Sequence, residues 1–340
     1  MSYTLIGEHK KDARANRDGY IAAMTELMEN DPTIVHVDCD LGGCINVGKL
    51  QAKFPDRVFN AGIAEQNAVG VASGMAAAGM KAFVHSFGCF AARRCFDQAF
   101  LAAGYSQVPV HIIGSDPGVT AAFNGATHMP FEDGALYMTV PGAVVIDSCD
   151  YVQTKSLTKK LAEYPKLSYM RLIRKNFKTI YADGSEFEIG KGVTLKDGKD
   201  VTIIASGIML DEALRAEEIL SAEGISARVI DMHTWKPIDE ELICKAAEGI
   251  LKTFPEDSYR IGGDEFVIIV PGTGEEAFRD QMEQVRKNLE EVQVSFSMGL
   301  EWKKEGMIES MLKAAEKRMY LEKDAYYREK GRDRRGSVKV

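Results

Sequence analysis

Three short stretches in the first half of the chain combine residue types that could do chemistry. Gly62-Ile63-Ala64-Glu65-Gln66-Asn67 sets a carboxylate at the start of a segment, 65–79, that is rich in Gly, Ala and Ser. On its own such a glutamate only meets the helix dipole; its neighbours make it a candidate acid–base group. Ser86-Phe87-Gly88-Cys89-Phe90-Ala91-Ala92-Arg93-Arg94 follows at a strand-to-helix transition. Two phenylalanines three apart beside a pair of arginines read first as plain core with a solvated face. Asn124-Gly125-Ala126-Thr127-His128-Met129-Pro130-Phe131-Glu132-Asp133 is a polar loop after a buried strand, where α/β proteins place ligand chemistry. A second signature, Tyr259-Arg260-Ile261-Gly262-Gly263-Asp264-Glu265-Phe266, lies far along the chain. Its glycine pair between apolar runs predicts a hairpin, and its two acids read first as solvated turn residues.

The elements that must position these residues alternate. Tyr20, Ile21, Met24, Leu27 and Met28 predict a helix over 20–30, and 34–37 is a short strand. The small-residue helix at 65–79 invites close approach by another backbone. Strands at 82–85, 108–113 and 143–146 and a helix at 90–103 complete the pattern. Strand and helix in alternation predict a parallel sheet covered on both faces. After a composition shift at 181–192, a second α/β unit begins: strand 201–205, helix 211–223, strand 227–231, and a helix opened by Asp239. Two strands are too few to close a doubly wound sheet. Residues 240–254 read as one amphipathic helix. Beyond Pro255 a hairpin (258–270), a helix (275–291), a strand (292–302) and a long helix (307–330) suggest an α+β unit.

At 340 residues the chain has room for two to three domains. With 45% apolar and 27% charged residues, it has the make-up of a soluble globular protein. No apolar run reaches the ~20 residues of a membrane span, and residues 1–11 lack an apolar leader core, so the expected compartment is the cytoplasm. Six cysteines without a C-x-x-C pair read as reduced thiols. The net charge of −8, with basic residues clustered only at 332–339, argues against nucleic acid as a partner; no membrane partner and no metal site of the chain's own are expected.

Gly-Ile-Ala-Glu-Gln-Asn, the Phe-x-x-Phe-x-x-Arg step and the Thr-His-x-Pro loop together resemble the pyrimidine-binding domain of thiamine-diphosphate enzymes. The likeness is greatest to the C-terminal subunit of a split transketolase and covers about residues 10–248. The resemblance implies that Glu65 hydrogen-bonds the aminopyrimidine and drives its tautomeric shift, best done when burial favours sharing a proton. It implies that Phe87 and Phe90 pack on the pyrimidine, with Arg93 at a third pocket position, and that His128 stabilises a developing oxyanion. Asp40 matches a residue that contacts substrate hydroxyls. Arg174 matches a phosphate-binding arginine, and Arg17 a weaker second one, alongside a plain reading of both as surface charges. Asp116 and Asn124 stand where full-length transketolases carry histidine and aspartate. The metal-binding Gly-Asp-Gly motif of relatives is absent from the sequence. The resemblance therefore implies thiamine diphosphate and Mg2+ held mainly by an N-terminal partner subunit, sugar-phosphate substrates, and a homodimer or heterotetramer. Deoxyxylulose-phosphate synthases and dehydrogenase β-subunits share the domain and stand as alternatives.

The second signature, with Ser297-Met298-Gly299-Leu300 and Ala314 to Tyr320, resembles the C-terminal half of a GGDEF diguanylate cyclase domain over about 249–335. That resemblance implies metal binding by Glu265 and close nucleotide approach at Gly262 and Gly263, flanking Asp264 and Phe266. The first strand, which carries another metal-binding acid, is missing, so no cyclase activity is expected; a non-catalytic signalling remnant is the third alternative. The expected architecture is α/β: a thiamine-diphosphate-binding (pyrimidine-type) parallel-sheet domain (1–186), a truncated transketolase C-terminal α/β domain (187–248), a partial α+β GGDEF domain (249–335) and a tail (336–340).

Overall fold

The computed structural model describes residues 2–6, 10–251, 257–262, 265–269, 275–291 and 317–318. They fall into two compact units, Met1–Ile250 and Leu251–Val340.

In the first unit the strands are β1 (Ile34–Asp38), β2 (Val58–Asn60), β3 (Lys81–Phe87), β4 (Val110–Ser115), β5 (Val144–Asp147), β6 (Ser168–Leu172), β7 (Val193–Lys196), β8 (Val201–Ala205), β9 (Ala227–Asp231) and β10 (Thr234–Lys236). The helices are α1 (Asn16–Asn30), α2 (Gly48–Lys53), α3 (Glu65–Ala77), α4 (Phe96–Gln98), α5 (Asp133–Met138), α6 (Tyr151–Glu163), α7 (Met209–Ala222) and α8 (Glu240–Leu251). A seven-stranded sheet runs β10-β5-β6-β4-β3-β1-β2, and β10 alone is antiparallel to its neighbour.

Both faces of this sheet are dry, as a parallel sheet requires. On one face, Tyr20 and Met24 of α1 and Leu157 and Leu161 of α6 pack on Phe83, Ile146 and Met170. On the other, Ala68 and Ala72 of α3, with Ala92 and Ala99, pack on Val84, Ile112 and Tyr169. The alanines on α3 let that helix lie close to the sheet, which brings its first residue, Glu65, under the strand ends.

The segment read as one helix over 90–103 differs in detail. It consists of a π-helical turn (Phe90–Arg94), the short α4, and a second π-helical stretch (Ala99–Tyr105). A π turn widens the helix and turns the side chains that follow it, a feature that often marks functional sites.

The second α/β segment holds three strands, one more than the sequence suggested. In its sheet, β7-β9-β8, β7 is antiparallel and β8 parallel to β9. The chain then returns: β10 pairs with β5, Thr234 opposite Ile146. Residues 187–248 are thereby joined to the first sheet by backbone hydrogen bonds. Gly134 makes this possible, since a Cβ there would lie 2.3 Å from Trp235 Cζ3. The seated indole donates from Nε1 to Ser206 Oγ at 2.8 Å.

In the second unit, β11 (Asp257–Gly262) and β12 (Glu265–Ile269) form an antiparallel hairpin, with Arg260 opposite Phe266 and Gly262 opposite Glu265, and α9 spans Glu275–Glu291. Gly263 and Asp264 lie outside the described residues, as do the strand expected at 292–302 and most of the helix expected at 307–330.

Two buried acids tie the chain downstream of β6 to α6. Asp150 caps α6 by accepting from Gln153 N at 2.8 Å, and its other oxygen accepts from the backbone N–H groups of Ile180 and Tyr181 at 2.9 and 3.0 Å. Asp231 Oδ2 accepts from the Tyr181 hydroxyl and from Gln153 Nε2, both at 2.6 Å, while Oδ1 has no hydrogen-bond partner among the described residues. Burial raises the Asp231 pKa. The fold thus favours the protonated acid, and this stabilisation is lost as pH rises from the ordinary carboxylate range toward the raised value. Asp231→Asn keeps the acceptor and removes the charge. Its melting midpoint is expected to gain on wild type, and to gain more at pH 8 than at pH 4.5; an equal difference at both would contradict the assignment.

Candidate active site

Adjacent parallel strands β1, β3 and β4 end on the same side of the sheet, and the segments beyond them carry most of the candidate site residues. Glu65, the first residue of α3, is 2% exposed. Its Oε1 accepts from Ser86 Oγ at 3.2 Å, and Arg94 Nη1 lies 3.0 Å from each carboxylate oxygen. The carboxylate is dry yet fully engaged, which burial of a charge requires.

Beside it, Phe87, Phe90 and the His128 imidazole meet edge-on. Ring centroids are 6.0 Å apart for the two phenylalanines and 5.4 and 5.3 Å from them to His128. Cations cover both phenyl rings: the Arg94 guanidinium lies 4.0 Å from the Phe90 centroid, and that of Arg174 lies 4.9 Å from Phe87. His128 Nδ1 is 2.8 Å from Thr127 Oγ1, which orients the ring.

Arg174 is ion-paired with Asp116, whose φ of 59° turns the chain sharply beyond β4. Burial opposes the guanidinium's charge, but Asp116 outweighs it and holds Arg174 above its usual pKa. Arg17 donates from Nη1 to the Cys44 carbonyl at 2.7 Å. Asp40, with φ of 63°, is exposed beyond β1 and accepts from Asn60 Nδ2 at 3.0 Å. Asn124 is exposed in a 3-10 turn, Ala122–Asn124. Arg93 pairs with Glu132 at 3.0 Å on the surface, and it is the next residue, Arg94, that reaches Glu65.

Several contributors carried no signal in the sequence. Asn60 Oδ1 accepts from the backbone N–H groups of Asp40 and Gly62 at 3.1 and 2.9 Å, tying the Asp40 turn to the Glu65 loop. Beneath them runs a buried bridge across three strands. Asp38 Oδ2 is 2.7 Å from His85 Nδ1, and His85 Nε2 is 3.0 Å from Ser115 Oγ. Asp38 Oδ1 accepts from Leu41 N at 2.6 Å, which pins the Asp40 turn. Burial would raise the Asp38 pKa; the bond and charge of His85 outweigh it and hold it below the usual range. Strand pairing makes the bridge, because Asp38 sits opposite His85 in the β1–β3 register.

Residues 12–179 match the transketolase pyrimidine-binding domain, and 190–285 the transketolase C-terminal domain. A 6-deoxy-6-sulfo-D-fructose transketolase subunit of a Clostridium species (strain MSTE9) is 40% identical over 231 residues, 68% of this chain and 72% of that one. An apulose-4-phosphate transketolase subunit of Phocaeicola vulgatus is 39% identical over 258 residues, 75% of this chain and 82% of that one. A solved structure described as a split gene transketolase, inactive beta4 tetramer, aligns with a TM-score of 0.65 at 39% identity, over 70% of this chain and 77% of that one. The chain belongs to the transketolase family.

As a transketolase-like subunit it presents a site that opens outward. Ile63 (77% exposed), Phe123 (98%) and Phe131 (72%) stand on the loops that carry Glu65 and His128. The C-terminal-domain match runs past the junction expected at 248, and the first compact unit ends at Ile250. Among the described residues no three His, Cys, Asp or Glu side chains converge as cation ligands, and no helix is long and apolar enough to cross a membrane.

Replacing His85 by leucine leaves the Asp38 carboxylate buried without its imidazole. The expected loss of folding stability in chemical denaturation is about 3 kcal/mol. A loss under about 0.5 kcal/mol, the size of an ordinary surface substitution, would show that the bridge is not needed.

Proposed function

We propose that this subunit supplies the aminopyrimidine-binding half of a thiamine-diphosphate site. Joined to an N-terminal partner subunit, as a heterotetramer or related oligomer, it transfers a two-carbon ketol unit between sugar phosphates. One observation carries the reading: a carboxylate 2% exposed lies beside an aromatic trio whose outer edge bears the Arg174–Asp116 pair. That arrangement suits a flat, nitrogen-containing ring, with a dry acid for its ring nitrogen and phenyl groups to pack on its plane. The cofactor to be held there would be thiamine diphosphate, which would supply nucleophilic carbon chemistry toward a ketose carbonyl.

The roles of the chain's own groups follow from position. Glu65 holds a proton at the pyrimidine nitrogen, and shielding from water makes that sharing effective. Phe87 and Phe90 orient the ring and exclude water, and His128 hydrogen-bonds the oxygen on which charge develops. Asp40 and Asn124 meet substrate hydroxyls. Arg174 and Arg17 receive an anionic terminus, for which a guanidinium fork is suited. Asp116 serves this site through Arg174. The two relatives are named for 6-deoxy-6-sulfo-D-fructose and apulose 4-phosphate, ketoses with an anionic group, and we extend that class to this chain. Mg2+ and the diphosphate are assigned to the partner, whose surface would also cover Ile63, Phe123 and Phe131.

Mixed with its N-terminal partner, thiamine diphosphate and Mg2+, the chain is expected to transfer ketol units. Glu65→Gln should lower the rate by about 10²–10⁴-fold. A variant within about tenfold of wild type, or a full rate without the partner, would sink the reading.

For residues 249–335 we retain the reading of a partial GGDEF module without cyclase activity. The β11–β12 hairpin supports it, with Gly262 ending one strand and Glu265 and Phe266 opening the next. The transketolase C-terminal match, 190–285, also spans this hairpin and runs into α9. Incubation of the purified chain with GTP and Mg2+ is expected to yield no cyclic di-GMP; its appearance by mass spectrometry would overturn the assignment.

A further inference from the structure

Arg94 makes two contacts at once. Its guanidinium carbon is 4.0 Å from the Phe90 ring centroid, a stacking distance, and its Nη1 is 3.0 Å from both oxygens of Glu65, a hydrogen-bonding distance. A planar ring that rests on Phe90 and hydrogen-bonds Glu65 must make the same two contacts in the same place. The guanidinium fills the space over that face of Phe90 and beside Glu65, so a ring lying there reaches the carboxylate only once the guanidinium gives way.

The surroundings set the direction of that movement. Behind Glu65 the wall is dry: Cys39 and Cys95 are buried, and burial first, with the Glu65 charge added, pushes both thiols up, Cys95 to about 12. Neither neutral thiol offsets the carboxylate. Ser86 donates to it from within the sheet. Arg94 is by contrast 46% exposed, and water lies outward along its side chain. It stands at the end of the π turn Phe90–Arg94, which brings it rather than Arg93 over the ring.

We propose that Arg94 is a displaceable occupant of the cofactor's aminopyrimidine position. It neutralises Glu65 and keeps the Phe90 face covered while the site is empty, and it swings outward when the pyrimidine ring binds. The inference rests on the thiamine-diphosphate reading above. In consequence, intrinsic affinity is reduced by the fraction of molecules in which Arg94 is seated. The contact also ties cofactor binding to an arginine that the N-terminal partner can reach from solvent.

The test is calorimetric titration of thiamine diphosphate with Mg2+ into the full chain together with its N-terminal partner. Wild type, Arg94→Ala and Arg94→Lys are compared, each first shown to fold by circular dichroism and to assemble by gel filtration. Arg94→Ala is expected to bind about tenfold more tightly, the gain for an occupant seated nine-tenths of the time. Arg94→Lys should lie between the two, because an ammonium keeps the charge and loses the planar stack. The gain should vanish in a Glu65→Ala background, where nothing seats the arginine; a purely structural Arg94 would not show that coupling. Unchanged or weaker binding by a folded Arg94→Ala overturns the proposal, as does a cofactor-bound crystal structure with Arg94 still on both Glu65 oxygens. Failure of wild type and every variant to bind, with assembly intact, overturns the thiamine reading itself and the proposal with it.

Discussion

A carboxylate taken out of water must be met by donors, or it will not stay charged or stay put. Glu65 is the place where this chain accepts that constraint, and much of the surrounding structure is arranged to satisfy it. Ser86 comes from the end of β3, Arg94 from the π turn beyond, and the carboxylate itself from the first turn of α3. Three elements must hold their relative positions for one side chain to be satisfied. The alanines that let α3 lie flat on the sheet are therefore as much a part of the site as the acid.

The same logic extends along the sheet edge. Parallel strands ending side by side leave their following loops on one side, and lateral ties set the spacing of those loops. Asp38, His85 and Ser115 form one such tie across β1, β3 and β4, and Asn60 forms another between the Asp40 turn and the Glu65 loop. Asp40 and Asn124 stand exposed outside the Asp38–His85–Ser115 tie, while Asp116 is buried beneath Arg174; Asp40 and Asp116 both lie on turns with positive φ. A rigid inner layer thus supports an outer layer open to ligand and partner. The return of β10 to pair with β5 adds the segment 187–248 to this frame, so the second sheet is not an independent appendage.

Much of this was legible from residue order alone, and the reason is local. Strand–helix alternation, the small-residue face of 65–79 and the hairpin at 258–270 are read within windows of a few residues, and motifs such as Gly-Ile-Ala-Glu-Gln-Asn carry their chemistry with them. These determined the α/β class, the candidate acid and the aromatic pair. Partnerships between distant segments were not legible: the antiparallel β7 and β10, the pairing of Asp38 with His85, and the choice between two adjacent arginines. Arg93 and Arg94 are equivalent in sequence; a widened helical turn sends one to Glu132 on the surface and the other to Glu65. Strand register and helix phase depend on how the whole chain packs, so only the tertiary structure decided which cation faces the buried acid.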